Sequence, residues 1–175
     1  MNRMPVASML MVVLVGLLSA AGCSQQPTDG PPVVRYGQDE CIHCGMILTD
    51  ERHVAALRIS EDGETRDVLF DDIGDMLEYE REQTGLTVVR RYVHDFETRQ
   101  WVDARDAHFL VSDTIHTPMG SGIIAFAEQA RAEAMQKKDD GRSGGLAEIT
   151  AALAATAQVA AADAEAEPCC EKDEQ

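Results

Sequence analysis

Positive charge and cysteine are both scarce in this chain, and each scarcity removes a class of function. Fifteen Lys and Arg stand against 31 Asp and Glu, for a formal net charge of −16 over 175 residues. Residues 1–22 carry one Arg and no acid, so a chain beginning at Cys23 stands at −17. Binding to nucleic acid or to an anionic membrane surface needs basic patches, so neither is an expected partner. A solvated acidic surface accounts for the balance, and any concentration of cations near it is screened beyond about 8 Å at physiological salt. Also missing are a nucleophile–base pair, a nucleotide-binding loop and a pair of catalytic carboxylates, which favours a carrier over an enzyme. Of the five cysteines, two fall within one six-residue run.

The first of the five, Cys23, closes a leader. Met1-Asn2-Arg3 is a short positive start, residues 4–18 are an apolar run, and Ser19-Ala20-Ala21-Gly22 supplies small residues before Cys23. This is the charged, apolar and small-residue order of a secretory signal. Ala-Ala-Gly-Cys resembles a bacterial lipobox, in which the leader is cut before the Cys and the thiol is lipidated; Ala20 stands where that pattern prefers Leu. The alternative is an uncleaved single-span anchor, since the apolar run borders on spanning length. Either way the rest of the chain is expected to be exported and tethered to the cell envelope, facing the periplasm. Ser24, rather than Asp, after the Cys resembles the outer-membrane sorting pattern of a Gram-negative cell.

Residues 24–32, rich in Gln, Pro and Gly, read as a flexible tether. Organised sequence follows. Strand-like alternation over residues 53–59, a turn signal at Glu61-Asp62-Gly63-Glu64 and a second strand over 66–70 predict a hairpin. Asp71 or Asp72 can cap a helix carrying Ile73, Met76 and Leu77 on one face. Gly85 ends it, and residues 86–96 return as a strand. A weaker copy of this ββαβ order follows: strands at 100–103 and 108–111, a loop over 112–120, a helix over 121–137 with Ile123, Phe126, Ala127 and Ala130 on one face, and a short final strand within 144–149. Residues 150–167 are Ala and acid, either a marginal helix or a disordered tail, ending at Pro168-Cys169-Cys170. The expected fold is therefore α+β, with two small ββαβ units, 33–98 and 99–149, between a lipoprotein leader (1–22) with its anchored linker (23–32) and an acidic Ala-rich tail (150–175). About 110 ordered residues suffice for one modest core or two small fused units.

Chemistry concentrates in Cys41-Ile42-His43-Cys44-Gly45-Met46. Thiolate and thioether are soft ligands that select Cu(I), and Gly45 allows a tight backbone turn between two of them. A thioether has no proton to lose near neutrality, so Met46 would coordinate over a wide pH range. Being neutral, it would also hold the ion less firmly than another thiolate, which suits cargo. Met46 as a core residue beside a structural disulfide is the competing reading. Met119, in Thr117-Pro118-Met119-Gly120-Ser121-Gly122, lies in a shaped loop off any apolar stripe and is a candidate remote ligand. His116, three residues earlier, is another. Met76 follows a helical stripe and reads as core, and His94 and His108 as sheet residues. Asp71-Asp72 reads as a helix cap, with binding of a hard cation as the alternative.

Taken together, the leader ending at Cys23, Cys41-Ile42-His43-Cys44-Gly45-Met46-Ile47, Phe70-Asp71-Asp72-Ile73 and Thr117-Pro118-Met119-Gly120-Ser121-Gly122-Ile123-Ile124-Ala125-Phe126 resemble the NosL family of lipoprotein accessory factors of nitrous oxide reductase. The resemblance runs from Cys23 to about Ile149. It implies a fold of two ββαβ-type units and a membrane-tethered Cu(I) metallochaperone that hands copper to the maturing reductase, alongside other copper-delivery factors. It implies Cys44, Met46 and Met119 as ligands, with Cys41 and His43 as further candidates. The tail and its Cys169-Cys170 pair fall outside the family pattern. The main rival is an extracytoplasmic thiol–disulfide oxidoreductase using Cys41 and Cys44. That class sets its Cys-x-x-Cys at a helix start, whereas Cys44 here leads through Gly45 towards a strand. A structural zinc knuckle is a second rival, but it wants four ligands and the local segment offers three.

Overall fold

The computed structural model describes residues 30–166; the leader, Cys23, most of the linker and Cys169-Cys170 lie outside the described residues. Among the described residues, seven strands form two antiparallel sheets, accompanied by three helices. In chain order they are β1 (Ala55–Glu61), β2 (Glu64–Phe70), α1 (Ile73–Glu82), β3 (Thr87–His94), β4 (Trp101–Asp103), β5 (His108–Val111), β6 (Ile123–Phe126), α2 (Gln129–Asp139), β7 (Arg142–Gly144) and α3 (Leu146–Ala166). The first sheet is ordered β2-β1-β3-β4 and the second β6-β5-β7. No helix among the described residues is long and apolar enough to cross a membrane.

The β1–β2 hairpin turns through Asp62 (φ 53°) and Gly63 (φ 83°). Two successive left-handed residues match the right-handed twist of the strands, the reason Asp-Gly favours a two-residue hairpin. Strand β1 is buried on both faces over its first five residues. One face carries Ala55, Leu57 and Ile59 into the main core. On the other, buried Arg58 pairs with Asp67 through two hydrogen bonds of 2.8 and 2.9 Å and lies over the ring of Tyr92. Arg58 and Asp67 face each other directly in the β1–β2 register.

Helix α1 starts where the sequence says it should. Asp72, fully buried, takes the extended N-cap conformation and accepts a hydrogen bond from Gly74 N at 2.7 Å, satisfying one of the free N–H groups of the first turn. Ile73, Met76 and Leu77 then enter the core.

The second half departs from expectation in three places. Trp101–Asp103 pairs with β3, so it is the edge strand of the first sheet; the second ββαβ unit is β5, β6, α2 and β7. Ile123–Phe126 is not the start of a helix but a strand buried at all four positions. A short, uninterrupted apolar run satisfies helix and buried-strand templates equally, and pairing with β5 decides it. Helix α2 begins only at Gln129, and among its residues Ala132 alone is buried. The strand expected within 144–149 stops at Gly144, because Leu146 onwards is a run of strong helix formers and opens α3. The Ala-rich segment is thus helical to Ala166. Its first turns dock: Ile149 is buried, and Leu146 and Leu153 pack against the main core.

Candidate metal centre

Residues 39–48 fold back on themselves as a closed loop. Glu40 and Ile47 form an isolated antiparallel bridge, Cys41 N donates to Met46 O at 2.8 Å, and Gly45 N to Cys41 O at 2.9 Å. Gly45 sits at φ 76°, a left-handed conformation that costs glycine nothing. Ile42 N reaches the carbonyl of Leu69 at 2.9 Å, fastening the loop to strand β2. Cys41 and Leu48 are driven into the core, while Ile42, Met46 and Ile47 remain exposed.

This loop lies over the start of α1. Cys41 Sγ is 3.6 Å from Asp75 Oδ2 and Cys44 Sγ is 3.4 Å from Asp71 Oδ1. One donor atom from each of Cys41, Cys44, Asp71 and Asp75 lies within 4.8 Å of all the others. Cys41, Asp71 and Asp75 are buried and Cys44 partly so. Desolvation pushes the Cys44 thiol up to about 12; Cys41 and Asp71 add to the rise and the Met46 backbone opposes it. Burial likewise raises Cys41 and the carboxyl of Asp75. Without a cation the two thiols therefore keep their protons, and a metal ion is what would convert them to thiolates.

The Met119 loop reaches the same helix end. Asp72 Oδ2 accepts from Thr117 Oγ1 at 2.5 Å and from Met119 N at 3.0 Å, and Ser121 Oγ hydrogen-bonds Asp72 Oδ1. Adjacent residues thus hold the two motifs: Asp71 contacts Cys44 and Asp72 secures the loop carrying Met119. Met46 and Met119 are 49% and 43% exposed, so a ligand can reach either side chain without unfolding. Met119 also lines an open groove of about 480 Å³ whose walls include Gly74, Asp75, Leu77 and Leu153.

The other candidates lie differently. His43 faces the outer side of α1, 3.9 Å from Glu78 and 4.0 Å from Glu82, with its ring edge-to-face against Tyr79. His116 is an exposed loop residue. Met76 is fully buried, as its stripe predicted, and His94 is a buried sheet residue. Asp75 is absent from the sequence reading; of Asp71 and Asp72, both offered as the cap with cation binding as the alternative, Asp72 takes the cap and Asp71 joins the cluster. The available signal was the i, i+4 spacing of Asp71 and Asp75, obscured by an ordinary acidic helix start.

Fold and site define a small α+β domain in which a thiol–carboxylate cluster and two exposed thioethers gather around one helix N-terminus. The family model NosL matches residues 32–154, and the chain belongs to the NosL family. The copper-binding lipoprotein NosL of Stutzerimonas stutzeri is 27% identical over 163 residues, covering 87% of this chain and 84% of that protein. The crystal structure of the copper chaperone NosL from Shewanella denitrificans has a similar fold, with a TM-score of 0.59 and 22% identity over 72% of this chain and 99% of that one.

Proposed function

We propose that this protein is a lipid-anchored Cu(I) carrier of the cell envelope that delivers copper for assembly of the copper centres of nitrous oxide reductase, without catalytic turnover. Cys23 carries the lipid, and the domain faces the periplasm, on the outer membrane in a Gram-negative cell. Cys44, Met46 and Met119 bind the ion, and Cys41, His43 and His116 are the further donors from which the sphere can be completed. The partners are the apo-reductase and other copper-delivery factors.

One observation carries this reading. Two sulfur-bearing segments far apart in sequence are fastened to adjacent residues, Asp71 and Asp72, at the start of one helix. Soft donors on an exposed rim suit a soft ion that must leave again. The names of the two relatives, a copper-binding lipoprotein and a copper chaperone, agree with it. Both thiols are pushed up by burial, whereas a disulfide oxidoreductase needs a lowered thiol; this speaks against the redox alternative.

The test is Cu(I) titration of the reduced protein against a chromophoric competitor. Met46→Ala and Met119→Ala should each weaken binding by about tenfold, equivalent to about 1.4 kcal/mol. Weak, non-saturating binding by the unmodified protein ends the copper reading, and an unaltered affinity in Met119→Ala removes that residue from the site. Transfer to apo-reductase, followed by recovery of its copper spectrum, tests delivery.

A further inference from the structure

The copper reading takes neither buried carboxylate of the cluster, Asp71 or Asp75, as a ligand. Asp71 and Asp75 are 4% and 5% exposed, and each faces a cysteine sulfur. Asp71 Oδ2 is buried with no hydrogen-bond partner. An orphaned buried acceptor of this kind costs about 1–3 kcal/mol. Helix capping does not explain it, because Asp72 alone fills that role. The helix N-terminus favours negative charge nearby but leaves the orphaned oxygen unsatisfied.

Geometry supplies a reason for the arrangement. In a tetrahedral site with metal–sulfur bonds of about 2.3 Å and metal–oxygen bonds of about 2.1 Å, a sulfur and an oxygen lie about 3.6 Å apart. The two S···O separations here are 3.6 and 3.4 Å, and all four donors fall within 4.8 Å of one another. Two thiolates with two carboxylates form a mixed soft and hard set. It suits a borderline divalent ion better than Cu(I), which gains little from carboxylate.

We propose that Cys41, Cys44, Asp71 and Asp75 form a second, inner site for a divalent cation of the Zn²⁺ class, which shares Cys44 with the outer copper site. Binding displaces the thiol protons to solvent and gives Asp71 Oδ2 a cation to face. Because at least one sulfur, that of Cys44, belongs to both donor sets, the two metals exclude each other. That exclusion rests on the proposed copper site; the divalent site does not.

Co²⁺ is the probe, added to the reduced full chain in detergent with Cys169→Ser and Cys170→Ser in place, so that the tail thiols do not contribute. One Co²⁺ per chain should bind with the intense visible bands of a tetrahedral ion and a thiolate-to-cobalt charge-transfer band, and Zn²⁺ should bleach both. Asp71→Asn and Asp75→Asn should weaken Co²⁺ binding at least tenfold, while Met46→Ala and Met119→Ala leave the spectrum unchanged. Added Cu(I) should abolish the bands. A weak octahedral spectrum without charge transfer in the unsubstituted site overturns the proposal, whether or not the Asn variants fold. Equal Co²⁺ binding by folded Asn variants overturns it too, and bands that persist with Cu(I) bound overturn the shared ligand. Tetrahedral Co²⁺ binding in a chain that fails to take Cu(I) would end the copper reading and leave this site standing.

Discussion

His94 couples the fold to pH. Its ring is 2% exposed, stacks on Trp101 at 3.7 Å between centroids, and has a buried Nδ1 with no partner. Burial brings it down to about 4, although hydrogen bonding with the Val54 and Glu51 backbone pulls the other way. In the unfolded chain the same imidazole takes its proton near 6.5. Between those two values the unfolded state binds more protons. Stability is therefore complete above pH 6.5 and falls as the pH drops towards 4, by on the order of 3 kcal/mol. Burial lowers His53 in the same direction. Urea unfolding at pH 7 and pH 4.5 measures the loss, and His94→Phe, which keeps the stacking, should flatten the profile. An equally steep profile in that variant would remove His94 as the cause. At the same scale, the sequence singles out Cys41, Cys44 and Met46 as candidates because thiol and thioether clusters are rare by chance. It hides Asp75 because acids are the commonest charged residues here and one more in a first helical turn looks ordinary.

Helix α1 joins the two halves of the candidate centre, and Gly74 in its first turn keeps them close. Alanine is better than glycine inside a helix by about 1 kcal/mol, and on helix propensity alone Gly74→Ala should stabilise the protein. A Cβ at this position would stand 2.4 Å from the Cβ of Ser121 and 3.0 Å from its Oγ. The 117–121 loop would have to move, weakening the bonds that Thr117, Met119 and Ser121 make to Asp72. Hydrogen bonds to a charged group contribute about 1.5–3 kcal/mol each, so the clash outweighs the propensity gain. Gly74→Ala should lose about 1–3 kcal/mol in chemical denaturation and bind Cu(I) more weakly. A more stable variant with unchanged copper affinity would mean that the loop does not depend on this contact. The helix itself was readable, since cap, stripe and terminating glycine agree. Strand β6 was not, because Ile-Ile-Ala-Phe has no polar residue to set a period and its identity comes from β5 alongside.

At the scale of the whole molecule, sequence order suggests two consecutive ββαβ units, but neighbouring elements mix across the join. Strand β4 leaves the second half to pair with β3. One continuous apolar cluster holds Leu57, Phe70 and Met76 together with Phe109, Ile123, Ala125 and Ile149. The backbone ties the halves as well: Phe96 N donates to Ala125 O at 2.8 Å, and Ala127 N to Asp95 Oδ2 at 2.7 Å. A local pattern cannot encode this sharing, because an apolar residue carries no mark of the sheet it will face. A shared core makes separate unfolding expensive, since opening either half would expose the apolar face of the other, at about 25 cal/mol per Å². We therefore expect one cooperative transition. Fluorescence of Trp101, in the first sheet, and hydrogen exchange at Leu110, in the second, should report the same free energy of opening. Residues 33–98 expressed alone should lack a sharp melt. Non-coincident transitions, or a cooperative melt of the isolated first half, would mean that each sheet closes its own core and that the shared contacts are only docking.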